Sequence, residues 1–270
     1  MGKRLIISAD DYGLSLEVNE AVERAHRDGV LKAASLLVGA PASNDAVWRA
    51  RELPTLRVGL HLVLVNGRPI LPPERVAALV DRDGNFPSDL VAAGVRFFFH
   101  PGARRALEAE IRAQFDAFAR TGLALDHVNA QNHMHVHPTI LGILIRVGRE
   151  YGMRAVRIPR EPNDAAFLLP WLAMMERRLH RAGITTNDIV LGIRHSGHMT
   201  RACVLELLDA LPPGTTELYF HPATRAWAGI DPQIADYDFA GELDALTSPD
   251  VRAKIAAVGA EALAYSDLRR

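Results

Sequence analysis

The sequence predicts an α/β fold: a single-domain, irregular (β/α) barrel of the TIM type with about seven strands. Three observations carry this. Short apolar runs rich in β-branched residues alternate with amphipathic helical stretches, the pattern of a buried parallel sheet covered by helices. Polar residues recur directly after the apolar runs, at the strand ends where α/β folds collect their chemistry. No long linker or internal repeat divides the 270 residues, so the expected unit is 1–270, with one long insertion at about 66–101. A doubly wound open sheet is the alternative, but no glycine-rich phosphate-binding fingerprint follows the first strand.

Residues 4–9 (RLIISA) read as a buried strand ending in Asp10-Asp11-Tyr12-Gly13, with Ser15 placed to cap a helix over 16–28. Two adjacent carboxylates at the end of a core strand are costly unless paired or bound to a cation. The competing role is a turn in which the Asp side chains bond the backbone. A second strand at 33–38 precedes a helix over 44–53, and a third strand at 57–64 carries His61 among apolar neighbours. A lone histidine there is more often core than ligand, and it gains weight only beside other polar groups.

The stretch 66–101 breaks the rhythm with Pro69, Pro72, Pro73, Gly84 and Pro87, and ends in Phe97-Phe98-Phe99. It reads as a long functional loop, its phenylalanines placed in the core with an apolar groove as the other option. Leu107, Ile111, Phe115 and Phe118 mark one face of a helix that Gly122 stops.

The densest segment is 126–138, DHVNAQNHMHVHP, which holds four of the eleven histidines: His127, His133, His135 and His137. If it stays extended, Gln131, His133, His135 and His137 share one face. Imidazole suits zinc and other first-row divalent ions, whereas a solvated His-rich turn is the plain alternative. Pro138 then opens a helix marked by Ile140, Leu141, Ile143, Leu144 and Val147. A short strand at 155–158 brings Arg157, a helical run at 167–179 includes the apolar cluster 167–175, and a strand at 188–191 leads to Arg194, His195 and His198. The last clear strand, 216–220, delivers His221, and a helix over 250–264 closes the chain.

Hydrophobic content of 49% supports a large core. The net charge of −1, with only Lys3, Lys32 and Lys254 among 31 basic residues, gives no broad case for nucleic acid or an anionic surface. Cys203 is the single cysteine, which excludes an internal disulfide and a four-cysteine zinc site. Asp10 and Asp11 interrupt the N-terminal apolar run, unlike a signal peptide, and no run approaches the ~20 residues of a membrane span. The expected location is cytoplasmic.

With these residues in view, the chain resembles the YdjC/ChbG-type carbohydrate deacetylases through Ala9-Asp10-Asp11-Tyr12-Gly13, Gly59-Leu60-His61 and the histidine segment ending in Pro138. The match spans nearly the whole chain. It is similar in particular to the branch associated with hopanoid biosynthesis, in GVLKAASLLVGAPA, GLHLVLVNGRP, GVRFFF and VGREYGMRAVRIPREP. The resemblance implies an irregular (β/α) barrel and a metal-dependent hydrolase that removes the N-acetyl group from an amino sugar, for this branch an N-acetylglucosaminyl hopanoid. It implies Asp11 and His61 as metal ligands, Asp10 as general base and His221 as general acid.

The family's third ligand, a histidine, aligns with Gln131, whose amide is a poorer donor than imidazole. His133 and His135 are neighbouring substitutes. The implied cofactor is one divalent ion, zinc or magnesium. His133, His135, Arg157 and His198 are expected around the substrate, with Arg157 also orienting Asp10. Expected partners are the acetylated sugar or glycolipid, a membrane met through that substrate, and a second copy in a homodimer, with no nucleic acid. Two other classes stay open: a catalytically weakened glycolipid-binding paralogue, suggested by Gln131, and a metal-dependent phosphoesterase.

Overall fold

The computed structural model describes residues 2–162 and 168–268. Its centre is β1 (Lys3–Tyr12), buried from Leu5 through Asp10. Helix α1 (Leu16–Arg27) follows, with the Ser15 hydroxyl accepting from the Val18 amide at 3.2 Å as the N-cap. Then come β2 (Ala33–Leu36), α2 (Ser43–Arg51) and β3 (Arg57–Leu62). The second half holds β4 (Leu125–Ala130), α5 (Pro138–Glu150), α6 (Leu169–Arg181), β5 (Ile189–Leu191), α7 (Arg201–Asp209) and β6 (Gly214–Phe220). Between the halves lie α3 (Leu90–Phe99) and α4 (Pro101–Arg120).

All strand pairs are parallel, in the order β4-β3-β2-β1-β6-β5. The result is a barrel-like parallel sheet clad in helices. Its two end strands are joined through residues 154–160 and not through a named strand. Val128 pairs with Val156 and Ala155 with Thr185: the Val128 amide donates to the Ala155 carbonyl, the Val156 amide to the Thr185 carbonyl, and the Val190 amide reaches the Arg160 carbonyl at 2.7 Å. The strand expected at 155–158 is therefore a pair of isolated bridges. That is sufficient to hold Arg157 between the two ends of the sheet.

The C-terminal helix expected over 250–264 is in fact α8 (Phe239–Thr247), α9 (Pro249–Ala257) and a seventh strand, β7 (Ala260–Leu263). Its sequence, AEAL, favours a helix. What makes it a strand is the edge of β1, where Lys3–Ile6 pair with β7 while Ser8–Tyr12 pair with β2 further along. Gly259, at φ +67°, turns the chain out of α9 to reach that edge.

The stretch 66–101 is only partly a loop, since it contains a 3-10 turn at Pro73–Val76 and α3. Two buried side chains of α4 fasten it. The Glu110 carboxylate accepts from the Ile70 and Leu71 amides, and Gln114 bonds both the amide and the carbonyl of Val63. Of the three phenylalanines only Phe97 is core; Phe98 and Phe99 are exposed. In the cluster expected at 167–175, Leu172 and Met175 are buried and Leu168, Leu169 and Met174 are exposed, while Phe167 lies outside the described residues.

No described helix is long and apolar enough to cross a membrane. The core has almost no slack at β3. A Cβ on Gly59 would stand 2.5 Å from the His127 ring and 2.6 Å from its carbonyl oxygen. Gly59→Ala is therefore expected to destabilise the chain by about 1–3 kcal/mol, read as a melting temperature lowered by several degrees.

Candidate active site

The C-terminal ends of the strands bring the polar residues together, and β1 sets the geometry. Its pairing with β2 slips between Ala9 and Tyr12, and inside that bulge Asp11 adopts a left-handed backbone, φ +63°. Such a bulge breaks strict alternation and re-aims a side chain. Asp10 is 3% exposed and points into the barrel interior's hydrogen-bond network, while Asp11 is half-buried at the mouth.

Asp10 is saturated on one oxygen. Its Oδ1 accepts from Ser35 Oγ at 2.7 Å, Asn129 Nδ2 at 2.9 Å and Arg157 Nη2 at 3.0 Å, and its Oδ2 accepts from Arg157 Nη1 at 2.6 Å. The bidentate Arg157–Asp10 contact is the orienting bond expected from the sequence. Arg157 itself has no exposed surface. Its Nε and Nη2 donate to Glu217 at 2.8 Å each, and its guanidinium lies 4.8 Å from the Tyr219 ring centroid. Glu217 also accepts from Ser8 Oγ and Tyr265 Oη at 2.6 Å each. Burial by itself would raise the Asp10 carboxyl; the Arg157 charge overrides it and holds Asp10 well below the usual carboxylate range. Glu217 is lowered by the same guanidinium against the same opposing burial.

His61 sits at the end of β3, in register with Asn129 on β4. Its Nδ1 lies 2.7 Å from Asn129 Oδ1; because the Asn129 amide nitrogen faces Asp10, that contact requires Nδ1 to donate. Nε2 of the neutral ring is then a lone pair, 3.4 Å from Asp11 Oδ1. Two acceptors facing each other at that distance is an arrangement that a cation between them stabilises, and a histidine whose far nitrogen is tied down is the usual form of a metal-ligating imidazole. Asp11 and His61 thus fit a divalent ion as a two-donor pair. Among the described residues no group of three or more His, Cys, Asp or Glu forms a metal cluster, so a third protein donor would be of another type. Gln131, whose Nε2 is 3.4 Å from the Asn66 carbonyl, has its amide oxygen left over.

The histidine segment is not the extended comb. Gln131–Val136 forms a 3-10 turn kinked by left-handed Asn132 and His133, at φ +50° and +53°. Period-2 alternation is lost, and the histidines go separate ways. His133 is half-buried against Tyr219, with its Nδ1 shielded and unpartnered. Burial and then the Arg157 charge push its pKa down to about 3. His135 is fully buried and donates from Nε2 to the Arg157 carbonyl at 2.9 Å; mainly through burial, its pKa falls to about 4. His137 packs against Phe97 and Phe98. His127 is buried, bonded to Asp126 at 2.8 Å and stacked on Tyr265. His135 and Arg157, expected at the substrate, therefore lie beneath the mouth as supports, because neither has surface to offer.

His221 follows β6 at the mouth. Its backbone amide donates to Glu242, its ring packs on Tyr219 and Tyr237, and its Nδ1 is shielded without a partner, which leaves Nε2 for an incoming group. His198 is exposed at the rim, 3.9 Å from Asp236. Residues the sequence reasoning missed are Ser35, Asn129, Glu217, Tyr219, Tyr237 and Tyr265. A polar residue inside an otherwise buried strand was the available signal for the first three. Tyr237 had none, although Gly197, at φ +80°, has no room for a Cβ because the Tyr237 ring lies on it.

A family model described as YdjC-like protein matches residues 4–257. Carbohydrate deacetylases are among the similar sequences: one of Geobacillus stearothermophilus is 30% identical, covering 99% of this chain and 98% of that protein. One of Brevibacillus brevis is 29% identical over 98% and 99% respectively. A crystal structure from Enterococcus faecalis V583, provisionally described as a cellobiose-phosphate cleavage protein, superposes over 100% of both chains with a TM-score of 0.83 at 26% identity.

Two outcomes follow from this electrostatic arrangement. Arg157→Met leaves Asp10 and Glu217 buried without their cation, and a loss of about 3–5 kcal/mol is expected in chemical denaturation. Because folding depresses the His135 pKa from 6.5 to about 4, the unfolded chain binds the extra proton in that window. The stability His135 contributes is complete above about pH 6.5 and is lost as pH falls toward 4. Denaturation midpoints should fall across that window, and less steeply in His135→Gln.

Proposed function

The chain belongs to the YdjC-like family, and on that premise we propose that it is a metal-dependent carbohydrate N-deacetylase acting on an N-acetylated amino sugar. The observation that carries this is the pair of adjacent carboxylates in opposite roles. Asp10 is locked in an ionised state by Arg157, and Asp11 faces the free Nε2 of His61 at 3.4 Å. The full-length similarity to proteins named carbohydrate deacetylases supports it.

A divalent ion held by Asp11, His61 and residue 131 would supply Lewis-acid polarisation of the acetamide and a more acidic bound water. The remaining chemistry belongs to the chain. Asp10 Oδ1 is fully engaged by three donors, whereas Oδ2 accepts only from Arg157 and keeps a lone pair to receive the attacking water's proton. Its depressed pKa lowers basicity in exchange for permanent ionisation at neutral pH. His221 Nε2, on the mouth side of the same network, delivers a proton to the departing amine, which leaves poorly as an anion. Tyr237 and His198 flank the mouth where the sugar ring lies, His133 borders it from the 3-10 turn, and the buried Tyr219 supports His133 and His221 from beneath.

The proposed substrate is a glycolipid, an N-acetylglucosaminyl hopanoid, which the branch-type sequences at 29–42 and 94–99 support. A second reading has one observation in its favour. Gln131, which the resemblance sets at the third ligand position, is an amide tethered to the Asn66 carbonyl at 3.4 Å and not an imidazole. A chain that binds acetylated sugar without hydrolysing it would have this feature.

Acetate release from N-acetylated amino sugars separates the two. The metal-supplied protein should release acetate, and Asp10→Asn should lower turnover by at least about a thousandfold while metal content, measured by elemental analysis, stays near that of the unaltered protein. Sugar binding without acetate release, restored to turnover by Gln131→His, would support the binding-only reading. Undiminished turnover in Asp10→Asn would remove Asp10 as the base.

A further inference from the structure

Beside the site mouth lies a face with an unusual composition. Helix α3 turns Val91, Val95, Phe98 and Phe99 to solvent; Val91 is 77% and Phe99 74% exposed, while only Ala93 and Phe97 are buried beneath it. Beside it is a groove of about 390 Å³ to which α6 contributes Arg178; Leu169 and Met174 are exposed elsewhere on α6. The groove is lined by Phe98, Arg104, Arg146 and Arg178, with Pro138 and Ile143 of α5. Arg104 lies 5.7 Å from the Phe98 ring centroid, and Arg146 pairs with the exposed Glu108 at 2.6 Å. Three guanidinium groups thus line the groove with no carboxylate among its described lining residues, and they stand among large apolar side chains that contact water.

This combination selects its occupant. Apolar rings and arginines on one helical surface are suited to the boundary between lipid headgroups and acyl chains, where the rings leave water and the cations meet phosphates. A second copy of the chain is a poor match, because twofold pairing of this face sets arginine-lined grooves against each other, and none of the described residues lining them is a carboxylate. The groove also has a position relative to the site. Pro138, one of its walls, begins α5 immediately after the 3-10 turn that carries His133.

We propose that α3 and the adjoining groove dock the protein on an anionic lipid bilayer, with Phe98 and Phe99 inserted and Arg104, Arg146 and Arg178 against lipid phosphates. Docking presents the site mouth to a membrane-held substrate; that consequence rests on the glycolipid reading above, whereas the docking is tested without catalysis.

The test is co-sedimentation of the full chain with vesicles of phosphatidylcholine alone and of phosphatidylcholine mixed with phosphatidylglycerol. Variants are the double substitution Phe98→Ser with Phe99→Ser, the double substitution Arg104→Gln with Arg178→Gln, and Trp48→Ser on α2 as an exposed aromatic control. Melting curves verify that each is folded. Binding to the phosphatidylglycerol vesicles and not to phosphatidylcholine alone is expected. The partition constant should fall about fivefold for each arginine removed and about tenfold or more for the phenylalanine pair, with Trp48→Ser unchanged. No sedimentation with anionic vesicles, equal binding by all variants, or an equal loss in Trp48→Ser would overturn the proposal. So would a concentration-dependent dimer abolished by Phe98→Ser with Phe99→Ser, which would assign the face to a second copy. Acetate release from a soluble acetylated sugar, assayed in parallel, reports the deacetylase reading independently of all these outcomes.

Discussion

The site depends on one buried cation. Arg157 has no contact with solvent, and its Nε, Nη1 and Nη2 are all spent on Asp10, Glu217 and Ser8. A guanidinium so placed is tolerated only because two carboxylates and a hydroxyl satisfy it, and each carboxylate is tolerated only because of the guanidinium. The mutual dependence fixes side chains from four parts of the sheet. β1 gives Ser8 and Asp10, β2 gives Ser35, β4 gives Asn129 and β6 gives Glu217, while the backbone bridges of 154–160 bring the arginine between the sheet's two ends. Tyr265, from the segment after β7, closes the network from below through Glu217.

The same network reaches the pair at the mouth. Asn129 is shared: its amide nitrogen serves Asp10, so its oxygen must face His61, which fixes which imidazole nitrogen carries the proton. The lone pair of His61 is thereby directed at Asp11, whose left-handed backbone in the β1 bulge turns it away from Asp10. Two neighbouring carboxylates in sequence acquire different environments, one saturated with donors and the other waiting for a cation.

Much of this was legible in the sequence. The alternation of apolar strands and amphipathic helices gives the parallel sheet, and Asp10, Asp11, His61, Arg157 and His221 do gather at its C-terminal edge. What escaped was decided by tertiary contact. AEAL became β7 because the edge of β1 was open to it, against its own helical preference. The histidine comb failed because two consecutive left-handed residues, Asn132 and His133, replaced a strand by a 3-10 turn, and no residue pattern distinguishes those outcomes beforehand. Glu217 was invisible because its partner, Arg157, lies 60 residues away, and Tyr265 because its hydroxyl bonds Glu217, 48 residues away. The net charge of −1 is an average over the chain and carries no information on placement, so the three arginines that line one groove beside exposed phenylalanines become visible only in the fold.

The account turns on Arg157 holding Asp10 ionised. A carboxyl-labelled protein allows the Asp10 resonance to be followed by carbon NMR as pH is lowered, with Arg157→Met used to identify the shift that depends on the arginine. The account predicts that the Asp10 carboxyl remains ionised below the range where ordinary aspartates titrate, as far down as the fold survives. An Asp10 signal that titrates at or above the ordinary aspartate range would contradict it: burial, not the guanidinium, would then decide the charge, and the site would hold a protonated acid where the proposed chemistry needs a base.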